Sequence, residues 1–369
     1  MSIASKTAGQ SSERNLEPMV MPLLAWYDEN KRSMVWRDNP TPYHVWISEI
    51  MLQQTRIEAA KSYFLRFTEE IPDIQTLADI EDERLMKLWE GLGYYNRARN
   101  LKKAAKVLVE RYDGKMPADY DLLLELPGIG PYTAGAIASI AYNQKAAAVD
   151  GNVLRVVTRY LALPEDIMKM SFRNQVAKEL VRIMPERSGD FNQAIMELGE
   201  VICIPNGAPL CNECPLRGEC KAFHEEKQMD FPVKPEKKQR KIEKRTVIIL
   251  EHGNKVAIQK RPEQGLLAGL WEFPSLEGRF SGKGLKKRFN TDTKIKKLHS
   301  GIHIFSHVEW HMDCYRIFLD EPAQWETDLL SLENLVWVSF EQLQRDYTLP
   351  VAFHGFRNQI FAEKGLSGR

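Results

Sequence analysis

The sequence predicts an all-α unit followed by a smaller α+β unit within 369 residues. Three observations carry this. Up to about residue 228, apolar residues recur three and four apart, the period of an amphipathic helix. Residues 231–245, FPVKPEKKQRKIEKR, then hold seven basic and two acidic residues and two prolines, the composition of a solvated linker. Beyond Arg245 the apolar period falls to two, the signature of half-buried strands.

Taken in chain order, residues 1–15 are polar without an apolar core, so they read as a disordered tail and not as a secretion signal. Helices are predicted over 18–30, 43–67, 83–89, 101–112, 132–142, 153–163, 172–184 and 192–202, separated by proline and glycine. Residues 16–228 therefore form a helical domain that ends in a cysteine-bearing loop at 203–220, and 229–245 form the linker. In 246–369, strands at 246–251 and 255–260 flank His252-Gly253-Asn254, a hairpin signal. Further strands are expected at 302–305, 310–319 and 335–340, with helices near 285–289 and at 351–363.

Lys+Arg 51 against Asp+Glu 50 leaves a net charge of +1, so any basic surface is local. With 43% hydrophobic and 27% charged residues, the chain is not disordered throughout. The uncharged stretch 126–144 has the length of a membrane span, but its glycines and prolines argue against one. Four of the five cysteines fall within eighteen residues, which favours a metal centre over disulfides.

The segment 126–134, LPGIGPYTA, carries the most chemistry. Gly128 and Gly130 let backbone N–H groups approach a ligand, and Pro131 suits the first position of a helix whose open N-terminus can bind phosphate. A tight turn without a ligand would read the same way. Asp150, in 148–153, AVDGNV, stands about twenty residues on, where an Asp before an apolar helix is also a standard N-cap. Glu49 lies among Trp46, Ile47, Ile50 and Met51, and a carboxyl pressed between apolar groups tends to keep its proton, while a solvent-facing Glu49 with Gln53 one turn on is the alternative.

Together, the hairpin and Asp150 resemble the helix-hairpin-helix, Gly-Pro-Asp superfamily of DNA glycosylases. The segments 46–55, WISEIMLQQT, and 90–97, EGLGYYNR, narrow the resemblance to the adenine DNA glycosylases, the MutY family. It spans about residues 18–223 and, more weakly, 246–363. It implies base-excision repair: removal of adenine mispaired with 8-oxoguanine or guanine, by flipping the base and breaking its N-glycosidic bond with acid assistance. Glu49 would protonate the base. Asp150, oriented by Asn152, would stand ionised beside the sugar, and Tyr132 would join the same pocket. Related endonuclease III enzymes carry a Schiff-base lysine where Tyr132 stands, and tyrosine cannot form an imine, so base excision without an efficient lyase step is expected. Gln54 and Tyr94 match residues that wedge into the duplex, and Thr55 and Leu92 match residues near the opposite base. Trp36 and Arg37 would line the adenine pocket.

Cys203, Cys211, Cys214 and Cys220 run C-x7-C-x2-C-x5-C. Four thiolates can hold zinc or a [4Fe–4S] cluster. The family resemblance implies the cluster, although the first gap there is usually six residues. The C-terminal part would be a Nudix-like lesion-recognition domain. No glutamate-rich metal helix occurs in 265–289, so reading of DNA is expected in place of pyrophosphate hydrolysis. Ser306 and His307 would contact the oxidised guanine. The resemblance further implies a monomer on double-stranded DNA, cytoplasmic and nucleoid-associated, with no membrane partner. A lyase for damaged pyrimidines and a zinc-bearing DNA-binding module are the rival readings.

Overall fold

The helix Gly151–Leu161 has residues 153–161 all buried, its two arginines included. A helix buried all round belongs at the centre of its bundle. Around it, in the computed structural model, its neighbours place Leu23, Tyr27, Phe172, Leu180, Phe191 and Leu198 in one core. The structure describes residues 15–236, 239–288, 293–319 and 335–366, so nearly all of the tail expected at 1–15 lies outside the described residues.

The helices are α1 Val20–Asn30, α2 Pro42–Leu52, α3 Ile57–Glu70, α4 Ile74–Asp79, α5 Asp82–Leu88, α6 Asn96–Tyr112, α7 Tyr120–Leu124, α8 Pro131–Ala136, α9 Gly151–Leu161, α10 Met170–Arg182, α11 Ser188–Val201 and α12 Lys221–His224. Residues expected as one helix over 43–67 form two, α2 and α3. The polar run 53–56 between them has no side chain to bury, and Gln54 sits at φ 59°, a left-handed backbone that no helix continues through. Thr41 starts α2 by accepting from the His44 N–H at 3.1 Å, with Pro42 at the first helical position. Helix α8 runs on into a π-helical turn, Ile137–Ala141.

The later strands are β1 Lys241–His252, β2 Lys255–Lys260, β3 Trp271–Glu272, β4 Ser275–Glu277, β5 Ile295–Ile304, β6 Val308–Phe318 and β7 Leu335–Ser339. They form a mixed sheet in the order β3-β2-β1-β6-β5, with β4 paired to β1 and β7 to β2. Strands β1 and β6 are parallel from Lys241↔Val308 to Glu251↔Phe318. The hairpin expected at 252–254 forms, with His252 opposite Lys255. Helices α14 (Phe340–Arg345) and α15 (His354–Glu363) cover one face of the sheet. There Phe353, Phe356 and Phe361 meet Val247 and Ile249. On the other face Leu285 of α13 (Gly282–Arg288) meets Ile248 and Leu250. Both faces of β1 are buried, which is why 247–250 is an unbroken apolar run.

The chain separates into two compact units, Met1–Ala78 with Asn100–Glu236, and Asp79–Arg99 with Lys237–Arg369. This departs from the expected boundaries twice. The segment Asp79–Arg99, read as part of the 16–228 domain, belongs to the second unit, where its Glu83 pairs with Lys260 and Trp271. Strand β1 also begins inside the 229–245 linker, at Lys241, where β6 supplies backbone partners. Among the described residues no helix is long and apolar enough to cross a membrane.

Candidate active site

Asp150 is the N-cap of α9. Its Oδ1 accepts the Val153 N–H at 2.8 Å, and its Oδ2 accepts the Asn152 side-chain amide at 2.8 Å. The incoming chain is pinned by Asn192 of α11, fully buried, which accepts from the Ala148 N–H and donates to the Ala146 carbonyl and the Ser139 hydroxyl. One helical turn into α9, Arg155 donates to the Asn152 amide oxygen at 2.7 Å and to the Cys203 carbonyl at 2.7 Å. Gly135 of α8 lies against the same segment so tightly that a Cβ there would overlap the Ala147 carbonyl.

Glu49, 8% exposed on α2, accepts a very short hydrogen bond from the Tyr132 hydroxyl. Burial pushes its pKa up to about 7, the Tyr132 hydrogen bond works against that, and the charge of Asp150 adds to it. Burial also raises Asp150, offset by the Val153 and Asn152 donors and by Arg155. Tyr132 is pushed well above its ordinary value by burial and by both carboxyls, so its hydroxyl stays a donor. The charge of Asp150 favours the protonated form of Glu49. Asp150 has the larger set of donors to hold the negative charge, which leaves the proton to Glu49.

Both carboxyls and Tyr132 line one cavity of ≈ 1090 Å³ in the first unit. Trp36 and Arg37 line it too. Trp36 is buried edge-on against Phe64, and Arg37 is fixed by Glu197 at 2.7 Å and by Gln193 at 2.9 Å. Glu197, 2% exposed, also accepts from the Arg32 backbone and side chain, each at 2.9 Å. Sequence reasoning passed over Glu197, Asn192 and Arg155. Glu197 stands in Ile195-Met-Glu-Leu198 as Glu49 stands among its apolar neighbours, so the signal was present.

Gln54 and Thr55 border the cavity, Gln54 exposed. Gly128 holds φ 79°, and a Cβ on it would strike Asn100, so glycine is required. A Cβ on Gly130 would meet open space, and Gly130 and Pro131 begin α8 with no side-chain cap. In the second unit, Leu92 is buried while Tyr94 is 51% exposed. The side chain that this turn exposes is therefore Tyr94. Ser306 and His307 are exposed in the β5–β6 turn, closed by the Phe305 N–H donating to the Val308 carbonyl.

The four cysteines of the first unit are all free thiols. Cys211, Cys214 and Cys220 each lie within electrostatic reach of Cys203. Arg159, one turn beyond Arg155, donates to the Cys203 sulfur at 3.3 Å. Burial pushes the Cys214 thiol up to about 12, and its three companions add to that. Thiols that oppose one another's ionisation suit a cationic group that would hold them all as thiolates. Among the described residues, no three His, Cys, Asp or Glu stand so as to enclose a single metal ion.

Family models match both parts: residues 47–182 fit the HhH-GPD superfamily base excision DNA repair proteins, and 245–359 fit the NUDIX domain. The structure is similar to that of a thermostable thymine-DNA glycosylase, with a TM-score of 0.51 and 27% identity over 56% of this chain and 96% of that one. The fold is thus a helix-hairpin-helix glycosylase unit followed by a Nudix-like α+β unit. The adenine DNA glycosylase of Rattus norvegicus is 34% identical over 86% of this chain and 74% of its own length. That of Buchnera aphidicola subsp. Schizaphis graminum is 36% identical over 79% and 84%. The chain belongs to the adenine DNA glycosylase family.

Glu49 should weaken the fold it serves. Its folded-state pKa lies above its ordinary value, so stability is lost as pH rises from about 4.5 through about 7. Glu49→Gln is expected to match the parent near pH 4 and to exceed it at pH 8 by up to about 3 kcal/mol, as read by denaturant unfolding at both pH values. Equal stability at pH 8 would contradict the burial argument.

Proposed function

We propose that the enzyme excises adenine opposite 8-oxoguanine or guanine in double-stranded DNA, as a monomer and without strand cleavage. The observation that carries this is the pairing of Glu49 and Asp150 in one cavity, with unequal donor sets. The target nucleotide leaves the stack at an expense of a few kcal/mol, least at a mispair. Glu49, bridged to Tyr132, gives its proton to a ring nitrogen of the departing adenine. Asp150 keeps its charge and stabilises the sugar as it becomes oxocarbenium-like, or bonds to it transiently. Asn152 keeps Asp150 aimed at the sugar, and Trp36 and Arg37 bound the base. Backbone N–H groups around Gly128 and Gly130 hold phosphate. Gln54 and Tyr94 wedge into the duplex, Thr55 and Leu92 lie near the opposite base, and Ser306 and His307 read its altered N7–H and O8 edge.

Adenine release from an A:8-oxoguanine duplex and an A:T duplex tests the reading: release from the first alone is expected, and equal release would refute it. Asp150→Asn should abolish excision while duplex affinity stays within about threefold, since the amide keeps the shape of the site but not its charge. Ser306→Ala should narrow the preference for 8-oxoguanine over guanine by roughly tenfold, the worth of one hydrogen bond to a recognised edge. Unchanged discrimination removes Ser306 from the reading.

We further infer that Cys203, Cys211, Cys214 and Cys220 hold a [4Fe–4S] cluster. The all-sulfur set and its mutual electrostatic opposition support it over an empty loop. When bound, the cluster supplies positive charge and four bonds that close the loop. Arg155 and Arg159 tie that loop to α9. About four iron and four acid-labile sulfide per purified chain are expected. Zinc without iron would replace the assignment.

A further inference from the structure

Glu90 directly precedes the turn that carries Tyr94, and its carboxylate is held by two cations, Arg357 and Lys87, beside the His354 ring. Its Oε1 accepts from Arg357 at 2.8 Å and faces His354 at 3.4 Å, both on α15, and its Oε2 accepts from Lys87 at 2.7 Å. Arg357 is 5% exposed, so its charge has been taken out of water for this contact. Lys87 also donates to the Tyr347 carbonyl at 2.9 Å. All of these residues lie in the second unit.

The turn itself is strained. Gly91, Gly93 and Tyr94 hold φ of 102°, 69° and 47°. For a tyrosine, the left-handed region is unfavourable unless its surroundings impose it. Part of that restraint is internal. Trp89 donates to the Gly93 carbonyl at 3.1 Å, and Arg97 donates to the carbonyls of Leu92 at 3.0 Å and Gly93 at 3.2 Å. The other part is the end at which the chain enters, and there the anchor is Glu90.

We propose that Glu90 is a positioning residue for base extrusion: through Arg357 it fixes the entry to the turn, so that α15 holds Tyr94 in its left-handed, solvent-facing conformation. A carboxylate needed only to pair with α15 could stand away from the turn. This one sits next to the strained turn, and the buried guanidinium opposite it has been desolvated to reach it. The proposal rests on the reading of Tyr94 as a duplex wedge.

The test is a double-mutant cycle of Glu90→Gln and Tyr94→Ala in the full chain. It is read as the fluorescence of 2-aminopurine placed beside the target adenine of an A:G duplex, which reports unstacking. Glu90→Gln should lower the extrusion equilibrium by on the order of tenfold and add nothing in the Tyr94→Ala background. Arg357→Ala should reproduce that loss, and Arg357→Lys should recover most of it. Additive losses, or normal extrusion by Glu90→Gln, overturn the proposal alone. Normal extrusion by Tyr94→Ala removes the wedge reading and the proposal with it. Should Glu90→Gln not fold, Arg357→Gln enters the same cycle; failure of both to fold overturns the proposal in favour of a purely structural ion cluster.

Discussion

A carboxylate buried in a helical bundle keeps its charge only through the donors brought to it, and the first turn of α9 is where this chain brings them. Val153, Asn152 and Arg155 each serve Asp150, directly or through Asn152. The same arginine also reaches the cysteine loop, so the helix that caps itself with Asp150 joins two regions separated by half a hundred residues of sequence. Glu49 has the opposite surroundings. It receives one hydroxyl donor within an apolar wall, and the contrast between the two acids comes from helix geometry more than from residue type.

The helical character of the first part and the paired strands of the second were legible in the periods of their apolar residues. Asp150 was legible twice over, as a cap and as a charge beside a ligand, and the structure has it capping α9. Glu49 was legible through the segment 46–55, WISEIMLQQT, since its apolar neighbours alone also allowed a solvent-facing glutamate. What escaped was decided by partners far along the chain. Asn192 fixes residues 146–148 across more than forty positions, and Glu197 holds Arg32 and Arg37 from more than 150 positions away. Asn192 reads locally as an ordinary polar residue on its own helix, and the apolar neighbours of Glu197 mark its burial but not its partners.

Backbone conformation was legible only where glycine announced it. Gly91, Gly93 and Gly128 hold positive φ, as glycine so often does in turns, but Gln54 and Tyr94 share that region without any compositional sign. Both belong to segments whose resemblance implied DNA contacts, and both side chains end up exposed. The short elements α4, α7, β3 and β4 fell below the length at which a periodic pattern can be counted. The segment Asp79–Arg99 was read with its sequence neighbours because its own helix period is the same in either unit.

The close approach of Gly135 to Ala147 has a bearing on how the protein meets a duplex. With backbone lying directly on backbone, no side chain stands between Gly135 and the extended segment leading to Asp150 that could repack to change their spacing. The interval from the hairpin to the carboxylate is a dimension fixed when the chain folds, like the gap of a gauge. Whatever is fitted into it must supply the compliance, and a helix of stacked bases, bent or opened at one step, is the softer of the two bodies.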